Sequence, residues 1–223
     1  MKKKILIILG ISLLLVLAIY AKHTYLSAGR LSTIYEINTS DLKKLRDGDI
    51  IFQISQSSQC IAIQRATGSK YSHCGIIYIE NGNHYVYEVV QPVKLTQLNK
   101  WIARGKNKHY VVKRLKNADK VLTPSVLHKM KTEGEKFYNK DYDLTFEWSD
   151  DKIYCSELVW KIYKRGANIE IGNLQKLKEF DLTDDLVRQK LKERYGKNIP
   201  MDETVISPIA VFDSNLLETV ALN

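Results

Sequence analysis

The stretch His73-Cys74-Gly75-Ile76-Ile77-Tyr78-Ile79-Glu80-Asn81-Gly82-Asn83-His84-Tyr85-Val86-Tyr87-Glu88-Val89-Val90-Gln91 decides the fold. It holds two runs rich in β-branched and aromatic residues, joined at Asn81-Gly82. Asn-Gly between such runs is the strongest short-range signal for a two-residue hairpin, because both central residues must adopt positive φ. A two-residue turn fixes the register: Glu80 opposite Asn83, Ile79 opposite His84, Gly75 opposite Glu88. Side chains alternate faces along a strand, so His73 and Glu88 share a face as diagonal neighbours, within reach of long side chains. A slip of one residue would undo that pairing.

Outward from the hairpin, Asp49-Ile50-Ile51-Phe52-Gln53-Ile54 reads as a buried strand opened at Asp47-Gly48. Ser57 and Ser58 can cap a short helix carrying Ile61, Ile63 and Ala66. Pro92 ends the hairpin, and Val111 to Leu115 is a further strand. Thr123-Pro124 opens a helix with Val126, Leu127, Met130, Phe137 and Tyr138 on its apolar face. A helix is expected over Ile153 to Arg165, closed by Gly166, and another over Asp184 to Tyr195 with Thr183 as N-cap. Strands come first and helices later, which indicates an α+β class with an antiparallel sheet packed on helices.

The chain has 223 residues, 44% apolar and 26% charged, ordinary for a globular protein. The expected organisation is a signal-anchor or signal peptide over residues 1–22, a tether over 23–41 and one domain over 42–223. Lys2-Lys3-Lys4 precedes an uncharged run from Ile5 to Ala21, near the lower limit for spanning a bilayer. It lacks an Ala-x-Ala cleavage site. The reading is a membrane tether through residues 5–21 with the domain exported, extracytoplasmic on the bacterial envelope, or secreted if the segment is cleaved. The net charge of +9 is concentrated in part on that flank, and no basic stripe with interleaved aromatics indicates nucleic acid.

Three cysteines, Cys60, Cys74 and Cys155, are too few for a disulfide scaffold, and an odd number leaves a thiol to explain. Cys155 heads a helical stripe with Leu158, Val159 and Ile162, behind Asp150 and Asp151. A thiol there meets unpaired N–H groups and the positive end of the helix dipole, which favour the thiolate. The same N–H groups can hold an oxyanion. A lone cysteine is more often a small core filler, the reading given to Cys60. What raises Cys155 above that reading is the combination of a thiol with a strand imidazole and a strand carboxylate, the parts of a thiol acyl-transfer site. His84 by the turn is read as solvated. His109 and His128 lack partners at metal-ligand spacing, so neither a metal nor another cofactor is expected.

Taken in order, Gly48-Asp49-Ile50-Ile51-Phe52, Tyr71-Ser72-His73-Cys74-Gly75-Ile76, Tyr87-Glu88, Lys140-Asp141-Tyr142-Asp143, Tyr154-Cys155-Ser156-Glu157-Leu158-Val159 and Val205-Ile206-Ser207-Pro208 resemble the permuted papain-like hydrolases of the YiiX type, in the NlpC-like superfamily. The resemblance covers roughly residues 42–220. It implies a circularly permuted papain-like fold, with Cys155 as nucleophile, His73 as general base and Glu88 as the third polar residue. Tyr71, Tyr142 and Tyr154 are candidates to line the substrate cleft. The resemblance implies amide cleavage, first of all in cell-wall peptides. The alternatives are a hydrolase or acyltransferase acting on lipid or N-acyl groups, or a catalytically silent envelope binding module. An apolar cleft would favour the acyl substrate and a polar groove the peptide. One departure is Cys74, where an aliphatic residue is expected. Alternation sends it to the opposite face with Ile76 and Tyr78, away from the site.

Overall fold

The computed structural model describes residues 42–223. The expected signal-anchor and tether lie outside the described residues. Among these, no helix is long and apolar enough to cross a membrane.

The elements in chain order are β1 (Ile50–Gln53), α1 (Ser58–Thr67), β2 (His73–Glu80), β3 (Asn83–Val89), β4 (Val93–Gln97), α2 (Leu98–Arg104), β5 (Tyr110–Leu115), α3 (Ala118–Val121), α4 (Pro124–Glu135), α5 (Cys155–Ile162), β6 (Gln175–Lys176), α6 (Asp185–Tyr195), β7 (Thr204–Val205), α7 (Pro208–Phe212) and β8 (Leu217–Leu222). Six strands form an antiparallel sheet in the order β4-β3-β2-β1-β5-β8, and β6 pairs with β7 separately. The architecture is the expected mixture of an antiparallel sheet and packed helices. The sheet gains an unexpected strand at each edge, β4 beside β3 and β8 beside β5, and the β6–β7 pair was not expected either. The last strand, β8, returns from the C-terminus to pair with β5 at the sheet edge.

The hairpin has the register its turn dictates. Glu80 pairs with Asn83, Ile79 with His84 and Gly75 with Glu88, and Asn81 and Gly82 take φ of 51° and 77°. The sheet is buried on both faces. Phe52, Cys74, Ile76, Tyr78, Tyr87 and Val89 share a core with Leu158, Val159 and Ile162 of α5. The alternate positions, among them Ile51, Gly75, Ile77, Val86 and Glu88, face the other way, where Trp101 of α2 stacks on His73 at 5.9 Å. Gly75 is needed for space. A Cβ there would come within 2.5 Å of Val86 Cγ1 and 2.7 Å of the Tyr87 carbonyl.

Helix boundaries differ from expectation where a neighbour supplies a better cap. α6 is capped by Asp184, whose side chain accepts from the N–H groups of Leu186 and Val187, while Thr183 bonds Asp181 instead. α5 begins at Cys155, two residues later than expected, and after Ile162 continues as a wider turn that closes at Asn168, with φ of 56°, rather than at Gly166. Gly166 serves close packing: a Cβ there would lie 2.6 Å from the Met130 Cα. α4 stops at Glu135, so Phe137 and Tyr138 lie beyond it; Phe137 is buried and Tyr138 is exposed.

Candidate active site

Cys155 is the first residue of α5, and Tyr154 before it is extended. Glu157 accepts the Tyr154 N–H at 3.4 Å. The first intrahelical bond runs from Leu158 N–H to the Tyr154 carbonyl at 2.9 Å, so the N–H groups of residues 155–157 precede the helical ladder. Two other segments of the chain hold this helix start in place. Ser156 Oγ donates to the Ile206 carbonyl at 2.7 Å, and the Ile206 N–H donates to the Tyr154 hydroxyl at 3.0 Å. On the other side, Tyr142 bridges to Ile153, and Asp143 N–H donates to the Ile153 carbonyl at 2.9 Å.

His73 opens β2, and its Nε2 lies 2.7 Å from Glu88 Oε2. The other carboxylate oxygen, Oε1, accepts from Arg104 Nη2 at 2.5 Å. Glu88 is wholly buried. Desolvation opposes its charge, but the hydrogen bond and charge of His73, with Arg104 behind them, hold its pKa down at about 2. With Nε2 committed to Glu88, Nδ1 is the nitrogen left for the sulfur. Burial disfavours the charged imidazole, yet hydrogen bonds to the Cys155 sulfur and to Glu88 outweigh it and raise the His73 pKa to about 10.

The Cys155 pKa is driven well below its ordinary value. The largest cause is a hydrogen bond from the Cys74 thiol. Burial opposes it, and the His73 hydrogen bond and charge and the Cys74 N–H add to it. Both directions favour a thiolate beside an imidazolium, with the Glu88 carboxylate on the far side of the ring.

Cys74 corrects the expectation that it stands clear of the site. It does lie on the face of Ile76 and Tyr78, but that is the face on which α5 packs. The β2–β3 ladder ends at Gly75 opposite Glu88. One residue further on, Cys74 offers both its thiol and its N–H to the Cys155 sulfur. Alternation gave the face correctly, and only the docking of α5 reveals what covers it.

The three aromatic candidates separate. Tyr142 and Tyr154 line a pocket that Cys155 also lines. Tyr71 does not; it stacks on Phe212 at 4.3 Å and contacts His109 Nε2 through its hydroxyl at 3.3 Å. The pocket wall is almost entirely apolar: Ala62, Ile63 and Ala66 from α1, Val187 and Leu191 from α6, and Phe180 and Leu182 from the segment before α6. Sequence reasoning missed this pocket because each helix alone reads as an ordinary amphipathic element. It also missed Arg104, which sits at the end of α2 with no local signal linking it to Glu88. The Gly48-Asp49 motif is structural. Asp49 is buried and accepts from Arg114 Nε and Nη2, both at 2.7 Å.

Residues 44–221 match the model of the family described as permuted papain-like amidase enzyme, YaeF/YiiX, C92 family. Over 174 residues the chain is 52% identical to the uncharacterized protein YiiX of Escherichia coli (strain K12), covering 78% of this chain and 85% of that protein. It is also similar to a crystal structure described as that of metalloprotein yiiX from Escherichia coli O157:H7. The TM-score is 0.77 at 51% identity, over 81% of this chain and 98% of that one.

Proposed function

The chain belongs to the permuted papain-like amidase family, and from that premise we propose that it is a thiol amidase whose substrate carries an apolar acyl group. The observation that carries the reading is a helix-N-terminal thiol that lines an apolar pocket beside a Glu88-bound imidazole.

The Cys155 thiolate attacks the amide carbonyl, forming a carbon–sulfur bond and an oxyanion. The N–H groups at the start of α5 are the available donors for that oxyanion. As the intermediate collapses, the carbon–nitrogen bond breaks and His73 gives its Nδ1 proton to the leaving amine. Water then attacks the thioester while His73 takes its proton, releasing a carboxylic acid and restoring the thiolate–imidazolium pair. Glu88 keeps the imidazole oriented and stabilises its charged form through the cycle. Tyr142 and Tyr154 line the same pocket as the sulfur.

Of the two substrate classes expected from the sequence, an apolar wall favours the acyl chain over a cell-wall peptide. Export to the envelope with a membrane tether through residues 5–21 fits such a substrate and is part of the proposal. The description as a metalloprotein is of the relative's crystal structure. Among the described residues no cluster of three or more His, Cys, Asp or Glu is arranged to hold a metal, and no step here is routed through one.

The test compares release of p-nitroaniline from N-dodecanoyl and N-acetyl p-nitroanilides. The account expects the long-chain amide to be cleaved far faster, and Cys155→Ala to lose the reaction. Release of peptides from purified cell wall with no cleavage of the dodecanoyl amide would refute the acyl assignment.

A further inference from the structure

The pocket is not apolar throughout. Val187, Lys190, Leu191 and Arg194 lie at the i, i+3, i+4, i+7 spacing that places four residues on one helix face, and all four line it. Two aliphatic side chains thus share that face with two cations. The cations differ in state. Lys190 Nζ is paired with Glu193 at 2.6 Å. Arg194 has no carboxylate within ion-pair distance among the described residues. Its guanidinium lies over the Phe146 ring at 5.4 Å.

The position of Arg194 connects it to the chemistry. Phe146 packs edge-on against Tyr154 at 5.1 Å, and Tyr154 immediately precedes Cys155. Arg194 is half-buried, and burial lowers its pKa. A partly desolvated guanidinium costs free energy unless an anion compensates it. A guanidinium's planar fork suits an oxyanion, which it can grip with two parallel hydrogen bonds. Neighbouring aromatic and aliphatic walls strengthen that attraction by excluding water.

We propose that Arg194 is the anion-binding residue of the pocket, and that the substrate is an anionic amphiphile: its apolar chain lies between α1 and α6, and its carboxylate or phosphate is held by Arg194. The assignment rests on the acyl-pocket reading above and adds the charged group to it. Arg194 is a specificity residue; it takes no part in the bond-making steps.

Binding to the Cys155→Ala protein tests this apart from catalysis. Dodecanoate, dodecyl phosphate and dodecan-1-ol share one chain length and differ in headgroup. Titration calorimetry is expected to give at least tenfold tighter binding of one or both anions than of the alcohol. A second substitution, Arg194→Gln, should bring the anions to the level of the alcohol, while Arg194→Lys should keep part of the preference. Equal affinity for all three ligands, or an anion preference that survives Arg194→Gln, overturns the assignment. An anion preference that depends on Arg194, in a protein whose wild-type form cleaves no acyl amide, would sustain this site and sink the amidase reading alone.

Discussion

Glu88 Oε2 lies 2.7 Å from His73 Nε2 across the β2–β3 hairpin, and Arg104 grips the other oxygen of the same carboxylate at 2.5 Å. The two residues come from diagonal positions set by one Asn-Gly turn. Their contact ties a backbone register to the protonation state of a candidate base. If the register were one residue off, Glu88 would point to the α5 face and His73 would lose its partner.

Replacing Glu88 by Gln keeps the shape and removes the charge. The His73 pKa of about 10 depends on the Cys155 sulfur and on Glu88, so loss of the carboxylate lowers it. The imidazolium then deprotonates at lower pH, and the alkaline limb of the pH–rate profile moves in the acid direction. The rate on an acyl amide should fall about a hundredfold or more, the usual scale for a disabled acid–base group. A pH–kcat/KM series on wild type and Glu88→Gln reads both effects.

Arg104 acts one step further out. It helps hold the Glu88 pKa at about 2, so Arg104→Ala lets Glu88 protonate at higher pH. The acid limb should rise in pH, and Arg104→Lys should restore part of the loss. Because Arg104 is 43% exposed at its side chain, its contribution is screened by solvent and salt. The acid limb should therefore be more salt-sensitive in wild type than in Arg104→Ala.

Much of this was legible in the sequence. Asn81-Gly82 fixed the turn, the turn fixed the register, and the register put His73 beside Glu88. Ser57 and Thr123 were legible as caps because a hydroxyl before a helical run has a local partner, while the cap that Ser207 makes on α7 was not read. Two strands of the six-stranded sheet were not legible, nor was the short β6–β7 pair. β4 reads Val93-Lys94-Leu95-Thr96-Gln97, a partly exposed edge strand with a weak pattern, and β8 follows a short helix at the C-terminus. Arg104, the apposition of Cys74 and the pocket were hidden for a different reason. Each depends on which face a helix docks against, and a chain's local pattern carries no such information.

Gly75 is the steric condition of the site. Gly75→Ala forces a Cβ to 2.5 Å from Val86 Cγ1 and 3.3 Å from Glu88 Cβ. Overpacking of this kind costs about 1–3 kcal/mol, or a fall of roughly 2–12 °C in melting temperature for a domain this size. Thermal unfolding followed by circular dichroism checks the stability. Activity should fall more than stability, because Glu88 is displaced from His73.

Glu157 gives a pH-dependent stability of opposite sign to an ordinary surface carboxylate. Desolvation raises its pKa from 4.5 to about 8, although Lys161 lies 2.7 Å away and works against the rise. The folded state therefore binds a proton that the unfolded state releases, and stability falls as pH rises from about 4.5 to about 8. Glu157→Gln cannot ionise and should flatten that part of the curve. Urea unfolding of wild type and variant at pH 5, 6.5 and 8 tests this. A wild-type curve that rises across the window would contradict it.

The central claim is that Cys155 rests as a thiolate held by His73. The most direct measurement is the rate of iodoacetamide labelling of each cysteine at pH 6, read by mass spectrometry. The account predicts that Cys155 is alkylated many times faster than Cys60, and that His73→Ala removes the difference. Equal rates at Cys155 and Cys60 in the wild-type protein, or a fast Cys155 that is indifferent to His73→Ala, would contradict it.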